Sequence, residues 1–239
     1  MSKKSANAAL VAAREAARTQ WHNRFDNYKK PKADGGKLEV KALGADTTEM
    51  LFYDEVGFWG ITADQFNTAL AAVTTPKILL RINSPGGDVF DGYAIHNAIK
   101  AHPAQVSVVV DGLAASAASF IAMAGDTLSM GDPSMLMIHR AFTFAMGNTN
   151  DMKATTDLLA KVDGQIADIY AAKSGKPAAD MLALMDNETW LTAQEAADLG
   201  FVDEIDDGSA SNKTQAALAA QAAHAARQRA AAAVARRAL

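Results

Sequence analysis

Three stretches of this 239-residue chain combine residue types that can do chemistry. The first is Asn83-Ser84-Pro85-Gly86-Gly87-Asp88, directly after the strand-like run Lys77 to Ile82. Paired glycines let a backbone approach a ligand and turn its N–H groups outward. That suits an oxyanion hole, where fixed donors meet a developing negative charge. No Gly-Lys-Ser/Thr follows, so it is not a P-loop; an ordinary tight turn fits the same residues. The second is Asp111-Gly112-Leu113-Ala114-Ala115-Ser116-Ala117-Ala118, between a buried strand and an alanine-rich helix. Small neighbours leave the Ser116 hydroxyl approachable at a sharp strand-to-helix junction. These are the mechanics of a nucleophile elbow, without the Gly-x-Ser-x-Gly spacing. The helix N-terminus adds N–H donors and a favourable dipole. Small residues equally permit tight packing, and Ser119, one turn later, reads as a packing serine. The third is Met135-Leu136-Met137-Ile138-His139, a strand ending in histidine. A neutral imidazole beside a hydroxyl can take its proton and return it to a leaving group. A lone histidine also has a purely structural reading.

Other candidates are weaker. His22 and His224 lie in the chain ends, His96 and His102 flank a helix end, and no pair has metal-ligand spacing. Met123, Met130, Met135 and Met137 read as core filler. The chain has no cysteine, which excludes disulfides, thiolate zinc sites and a cysteine nucleophile.

The elements that must position these residues alternate between strand and helix. Lys37 to Leu43 and Glu49 to Val56 read as strands. Thr62-Ala63-Asp64-Gln65 is a capping box opening a helix through Val73. A helix from Val89 to Lys100 ends before Pro103. Val106 to Val110 is a β-branched run expected of a strand buried on both faces. Ala114 to Ala124 has helical character, and Ser134 to Ile138 is a strand. A long helix covers Asp151 to Lys173, and a shorter one Pro177 to Met185. Thr192-Ala193-Gln194-Glu195 is a second capping box, with Gly200 suited to the position after that helix. Repeated units of this kind predict an α/β fold with stacked, mostly parallel sheet.

The net charge of -4 conceals an asymmetry. Residues 1–32 carry +6, residues 209–239 carry +5, and the body between them carries -15. An acidic body with basic ends is not the footprint of a nucleic-acid-binding domain, although the ends could hold something acidic. The apolar runs around Leu113 to Gly125 fall short of the ~20 residues of a membrane span. No apolar stretch with a cleavage site follows the charged N-terminus, so a soluble protein of a reducing compartment is expected. Ser5 to Arg24 reads as a helix, and Pro31 to Gly36 as a linker. Alanine makes up 15 of the last 31 residues, which reads as a partly helical, solvated extension. The expected organisation is a basic extension and linker at 1–36, a folded domain at 37–207 and a low-complexity tail at 208–239.

The strings Asn83-Ser84-Pro85-Gly86-Gly87, Gly112-x-Ala114-Ala115-Ser116 and Met137-Ile138-His139, in this order, closely resemble the Clp protease proteolytic subunit family. Trp190-Leu191-Thr192-Ala193-Gln194-Glu195-Ala196, followed by Gly200-Phe201-Val202-Asp203, resembles that family's C-terminal segment. The resemblance spans residues 50–206 and implies a Clp/crotonase-like α/β fold. By position it makes Ser116 the nucleophile, His139 the general base, and the N–H groups of Gly87 and Ala117 the oxyanion hole. The family's acid is an aspartate three residues before the leucine matching Leu191, where this chain has Glu188. Asp186 competes by residue type and otherwise reads as a solvated loop carboxylate. In an extended segment the two would sit ~6.6 Å apart on one face, too far for both to reach one imidazole.

Asp186-Asn187-Glu188-Thr189-Trp190 and the run from Ile138 to Asn148 are similar to the phage branch, the Clp-related head maturation proteases. That implies an endopeptidase acting on capsid or scaffold proteins, in the host cytoplasm or the procapsid interior. It needs no metal or organic cofactor, and no nucleic acid or membrane partner. The family implies ring-like homo-oligomers, joined through the region of the long helix. The alternatives are a housekeeping-type Clp peptidase beneath an ATP-dependent unfoldase, a crotonase-type acyl-CoA enzyme, and a catalytically silent scaffold.

Overall fold

The computed structural model describes residues 38–206. The helix expected at Ser5 to Arg24 and the alanine-rich tail lie outside the described residues. The main sheet begins with β1 (Glu39–Ala42), which runs antiparallel to β2 (Thr47–Phe52). β3 (Lys77–Ser84), β4 (Gln105–Ala115), β5 (Thr127–Gly131) and β8 (Glu204–Asp206) then follow in parallel.

β4 serves two layers. Its first half, Ser107 to Val110, pairs with β5, while Leu113 to Ala115 pairs with β6 (Met135–Ile138). β6 in turn pairs antiparallel with β7 (Thr189–Thr192). A register shift between β3 and β4 after Ile82 accommodates this departure. The stacked, mostly parallel α/β architecture is therefore observed, with one long strand joining the layers.

The alternation in β3 turns Ile78, Leu80 and Ile82 into the core. They pack with Phe66 and Leu70 of α1 (Ala63–Ala71), Ile95 and Ile99 of α2 (Val89–Ala101), and Phe120 and Ile121 of α3 (Ala117–Ala122). Val106, Val108, Val109 and Val110 are all buried, as a strand covered on both faces requires. On the other face the Arg81 Nε donates to Asp111 Oδ2 at 2.9 Å, and the Tyr53 hydroxyl also donates to Asp111.

Both expected capping boxes are present, Thr62 with Gln65 and Thr192 with Glu195. The second opens α6 (Ala193–Asp198), and Gly200 adopts φ +86 just beyond it. The long helix α4 (Thr149–Ser174) begins two residues earlier than read, because Asn148 and Asp151 form a third capping box. It stops at Gly175 in the left-handed conformation. α5 (Ala178–Asp186) packs against it.

Three expectations are corrected. Ala114 and Ala115 belong to β4, not to a helix; only Ala117 to Ala122 is helical. β5, β7 and β8 form where no strand was expected. Residues 186–188 are not extended: Asp186 closes α5, and Asn187 still has helical dihedrals.

Candidate active site

Ser116 has one residue in which to turn the chain from β4 into α3. It does so at φ 53 and ψ -124, a conformation costing a non-glycine residue roughly 1–3 kcal/mol. Surrounding bonds hold it there. Its N–H donates to the Met137 carbonyl of β6 at 2.9 Å. Its carbonyl accepts from the Ser119 N–H at 3.0 Å and the Ser119 hydroxyl at 2.5 Å. Ser119 Oγ also lies 2.6 Å from the Tyr170 hydroxyl of α4. Because Ser119 spends its single proton on Ser116, Tyr170 is the donor in that pair. Burial raises the Tyr170 pKa, so the phenol keeps its proton. Ser119 is fully buried and is the packing serine expected, with a polar duty beside it.

His139 follows β6, whose register against β4 sets Met137 beside Ala115. Both side chains thus leave adjacent parallel strand ends, and His139 Nε2 lies 2.8 Å from Ser116 Oγ. In neutral imidazole with Nδ1 protonated, Nε2 accepts the serine proton. The Phe142 ring stands 5.8 Å from the imidazole.

Gly86 and Gly87 form the third wall. Val56 donates to the Gly86 carbonyl at 2.8 Å and accepts from the Asp88 N–H at 2.9 Å, a parallel bridge centred on Gly87. In that pattern the N–H of Gly87 itself faces away from Val56. Both glycines need their residue type. A Cβ on Gly86 (φ +87) would lie 2.4 Å from the Ala115 oxygen, and one on Gly87 (φ +149) 2.0 Å from the Val56 oxygen. The glycine turn consequently lies against the Ser116 elbow.

Gly87, Ser116, Ala117 and His139 border one cavity of about 240 Å³, continued by Phe120, Leu159, Val162, Ile166 and Tyr170. It is an apolar slot of side-chain size, smaller than the ~300–1,000 Å³ of whole-ligand pockets.

The carboxylates behave differently from one another. Asp186 is engaged by Arg140, whose Nε and Nη2 donate to its two oxygens at 2.8 and 3.2 Å. That pairing holds the Asp186 pKa below the usual carboxylate range. It replaces the solvated loop carboxylate expected. Glu188 follows in a left-handed turn, φ 47, with its N–H donating to the Met185 carbonyl at 3.1 Å. β6 and β7 pair Ile138 with Thr189, the chain neighbours of His139 and Glu188, and the ladder ends there. The structure brings Ser116 and His139 into hydrogen-bond contact. Two features escaped the sequence reading: the Tyr170–Ser119 support and the Arg140 pairs. Only Arg140 carried a signal, its place directly after His139.

Among the described residues, no cluster of three or more His, Asp or Glu side chains could hold a metal ion, and no helix is long and apolar enough to cross a membrane.

A strained serine between a parallel strand and a buried helix, hydrogen-bonded to histidine and flanked by a glycine turn, is an arrangement that serine hydrolases use. The Clp protease family model matches residues 62–209. An ATP-dependent Clp protease proteolytic subunit of Bacteroides fragilis is 32% identical over 180 residues, covering 71% of this chain and 86% of the relative. The proteolytic subunit 1 of Protochlamydia amoebophila is 35% identical over 189 residues, covering 73% and 92%. The subunit of Deinococcus radiodurans is 32% identical over 139 residues, covering 57% and 68%. The chain belongs to the Clp protease family, and its fold is consistent with that family. Membership supports a serine peptidase over a crotonase-type acyl-CoA enzyme.

Proposed function

We propose that this chain is a serine endopeptidase of the phage head-maturation branch, cutting capsid or scaffold proteins. The observation carrying the chemistry is the 2.8 Å contact between Ser116 Oγ and His139 Nε2 on a strained elbow. Ser116 Oγ attacks the scissile carbonyl as its proton passes to His139 Nε2. The N–H groups of Gly87 and Ala117 receive the oxyanion. Collapse breaks the C–N bond, and the imidazolium returns the proton to the departing amine. Water then attacks the acyl-enzyme by the same route and frees Ser116. Glu188 orients the imidazole and stabilises its charged form. The apolar slot beside Ser116 favours an apolar side chain before the cleaved bond.

The branch rests on the glutamate at 188, the Asp186-to-Trp190 string, the basic segment at 1–36 and the alanine-rich tail at 208–239 around a protease domain at 37–207. The working form in this reading is a ring-like homo-oligomer in the host cytoplasm or the procapsid. A housekeeping-type peptidase serving an ATP-dependent unfoldase is the second reading, favoured by relatives that are ATP-dependent proteolytic subunits. Incubation with phage capsid and scaffold proteins, without ATP, separates the two. Discrete cleavage products support the phage reading. Degradation only when a Clp unfoldase and ATP are added, with stable association in a pull-down, replaces it by the second.

A further inference from the structure

Arg140 joins three elements around the candidate site. Its Nε and Nη2 grip both oxygens of Asp186, the last residue of α5. Its Nη1 donates to Asp163 Oδ2 of α4 at 3.1 Å, and the next backbone N–H, of Ala141, donates to Asp163 Oδ1 at 2.8 Å. Asp163 is 6% exposed, so the attachment to α4 is an interior one rather than a passing surface pair. The residue before Arg140 is His139, and the residue two after Asp186 is Glu188.

We propose that Arg140 is a positioning residue that fixes the Glu188 turn relative to the His139 imidazole. Two facts make such a clamp necessary. The β6–β7 ladder ends at Ile138 and Thr189, one step short of the pair it must align. Glu188 also sits in a left-handed turn, which an unbranched but non-glycine residue holds only under constraint from its surroundings. Side-on pairing by a planar guanidinium restricts direction as well as distance, which a lysine ammonium cannot do. The clamp thus supplies, on the far side of His139, the constraint that the ladder supplies on the near side. Arg140 touches no reacting atom; it acts through the alignment of Glu188 with His139. The proposal rests on the reading of Glu188 as the acid.

The test uses the full chain with Arg140→Gln, Arg140→Lys, Asp186→Asn and Glu188→Gln, alone and in pairs. Peptide kcat and KM are measured per site titrated by a fluorophosphonate, alongside Tm. Misalignment of a catalytic group by about 1 Å can cost up to ~100-fold. Arg140→Gln is expected to lower kcat about tenfold with KM within twofold. Asp186→Asn should match it, the Arg140→Gln/Asp186→Asn pair should be no worse than either single change, and Arg140→Lys should recover part of the loss. In the Glu188→Gln background Arg140→Gln should cost nothing more. A lowered Tm with unchanged kcat per titrated site, or losses that add, overturns the proposal. Full activity in Glu188→Gln instead overturns the acid assignment beneath it. Asp186 is exposed at the surface, so Asp186→Asn remains decisive if Arg140→Gln does not fold.

Discussion

Gly87→Ala should disable the enzyme without emptying its nucleophile. The new Cβ would stand 2.0 Å from the Val56 oxygen and 2.9 Å from its carbon, and both are backbone atoms. Neither can yield as a side chain would, so the bridge between Val56 and Gly87 must open. That forfeits the Val56-to-Gly86 and Asp88-to-Val56 hydrogen bonds, at about 1 kcal/mol each. Holding alanine at φ +149 would add ~1–3 kcal/mol. Displacement gives up about 2 kcal/mol of hydrogen bonding but relieves both this strain and the 2.0 Å overlap of backbone atoms, so the segment moves and the Gly87 N–H moves with it. Losing one oxyanion donor costs about 10²–10³ in kcat. The assay is peptide turnover per fluorophosphonate-titrated site, with Tm measured on the same preparations. Gly164→Ala is the control, since a Cβ there meets nothing within 4 Å on a regular helix. It should raise stability by ~0.5–1 kcal/mol, about 2–4 °C per kcal/mol, and leave kcat unchanged. A Gly87→Ala enzyme with wild-type kcat would refute the oxyanion assignment of Gly87.

Two further outcomes follow from the site. Glu188→Gln should keep assembly and probe labelling yet lower kcat by orders of magnitude, because an amide cannot stabilise the imidazolium; it should exceed the Asp186→Asn loss in a direct comparison of turnover. Ser119→Ala leaves the buried Tyr170 hydroxyl without its acceptor, a cost of ~1–3 kcal/mol visible as a lower Tm, while peptidase activity stays largely intact.

The sequence made the local signals readable and concealed the distant ones. Thr62 with Gln65 and Thr192 with Glu195 were visible because a capping box is complete within four residues. Ser116 and His139 were marked by their junctions, and the shared motif order paired them; the contact itself depends on the β4–β6 register, which one strand cannot reveal. Ala114 and Ala115 misled because alanine carries no period of its own, and the strand continues only where β6 supplies a partner. β5 was missed although Leu128 and Met130 alternate into the core, since five residues give too short a pattern. The pairing of Arg140 with Asp163 and Asp186 spans 23 and 46 residues, and no local periodicity encodes such a reach.

The central claim is that Ser116, activated by His139, is the nucleophile of a peptidase. Its most direct test is fluorophosphonate labelling, mapped by peptide mass, together with peptide hydrolysis by the native chain and by Ser116→Ala. Labelling confined to Ser116, and loss of both labelling and hydrolysis in a folded Ser116→Ala, is the predicted result. Labelling at Ser119, or hydrolysis that survives in Ser116→Ala, would contradict it.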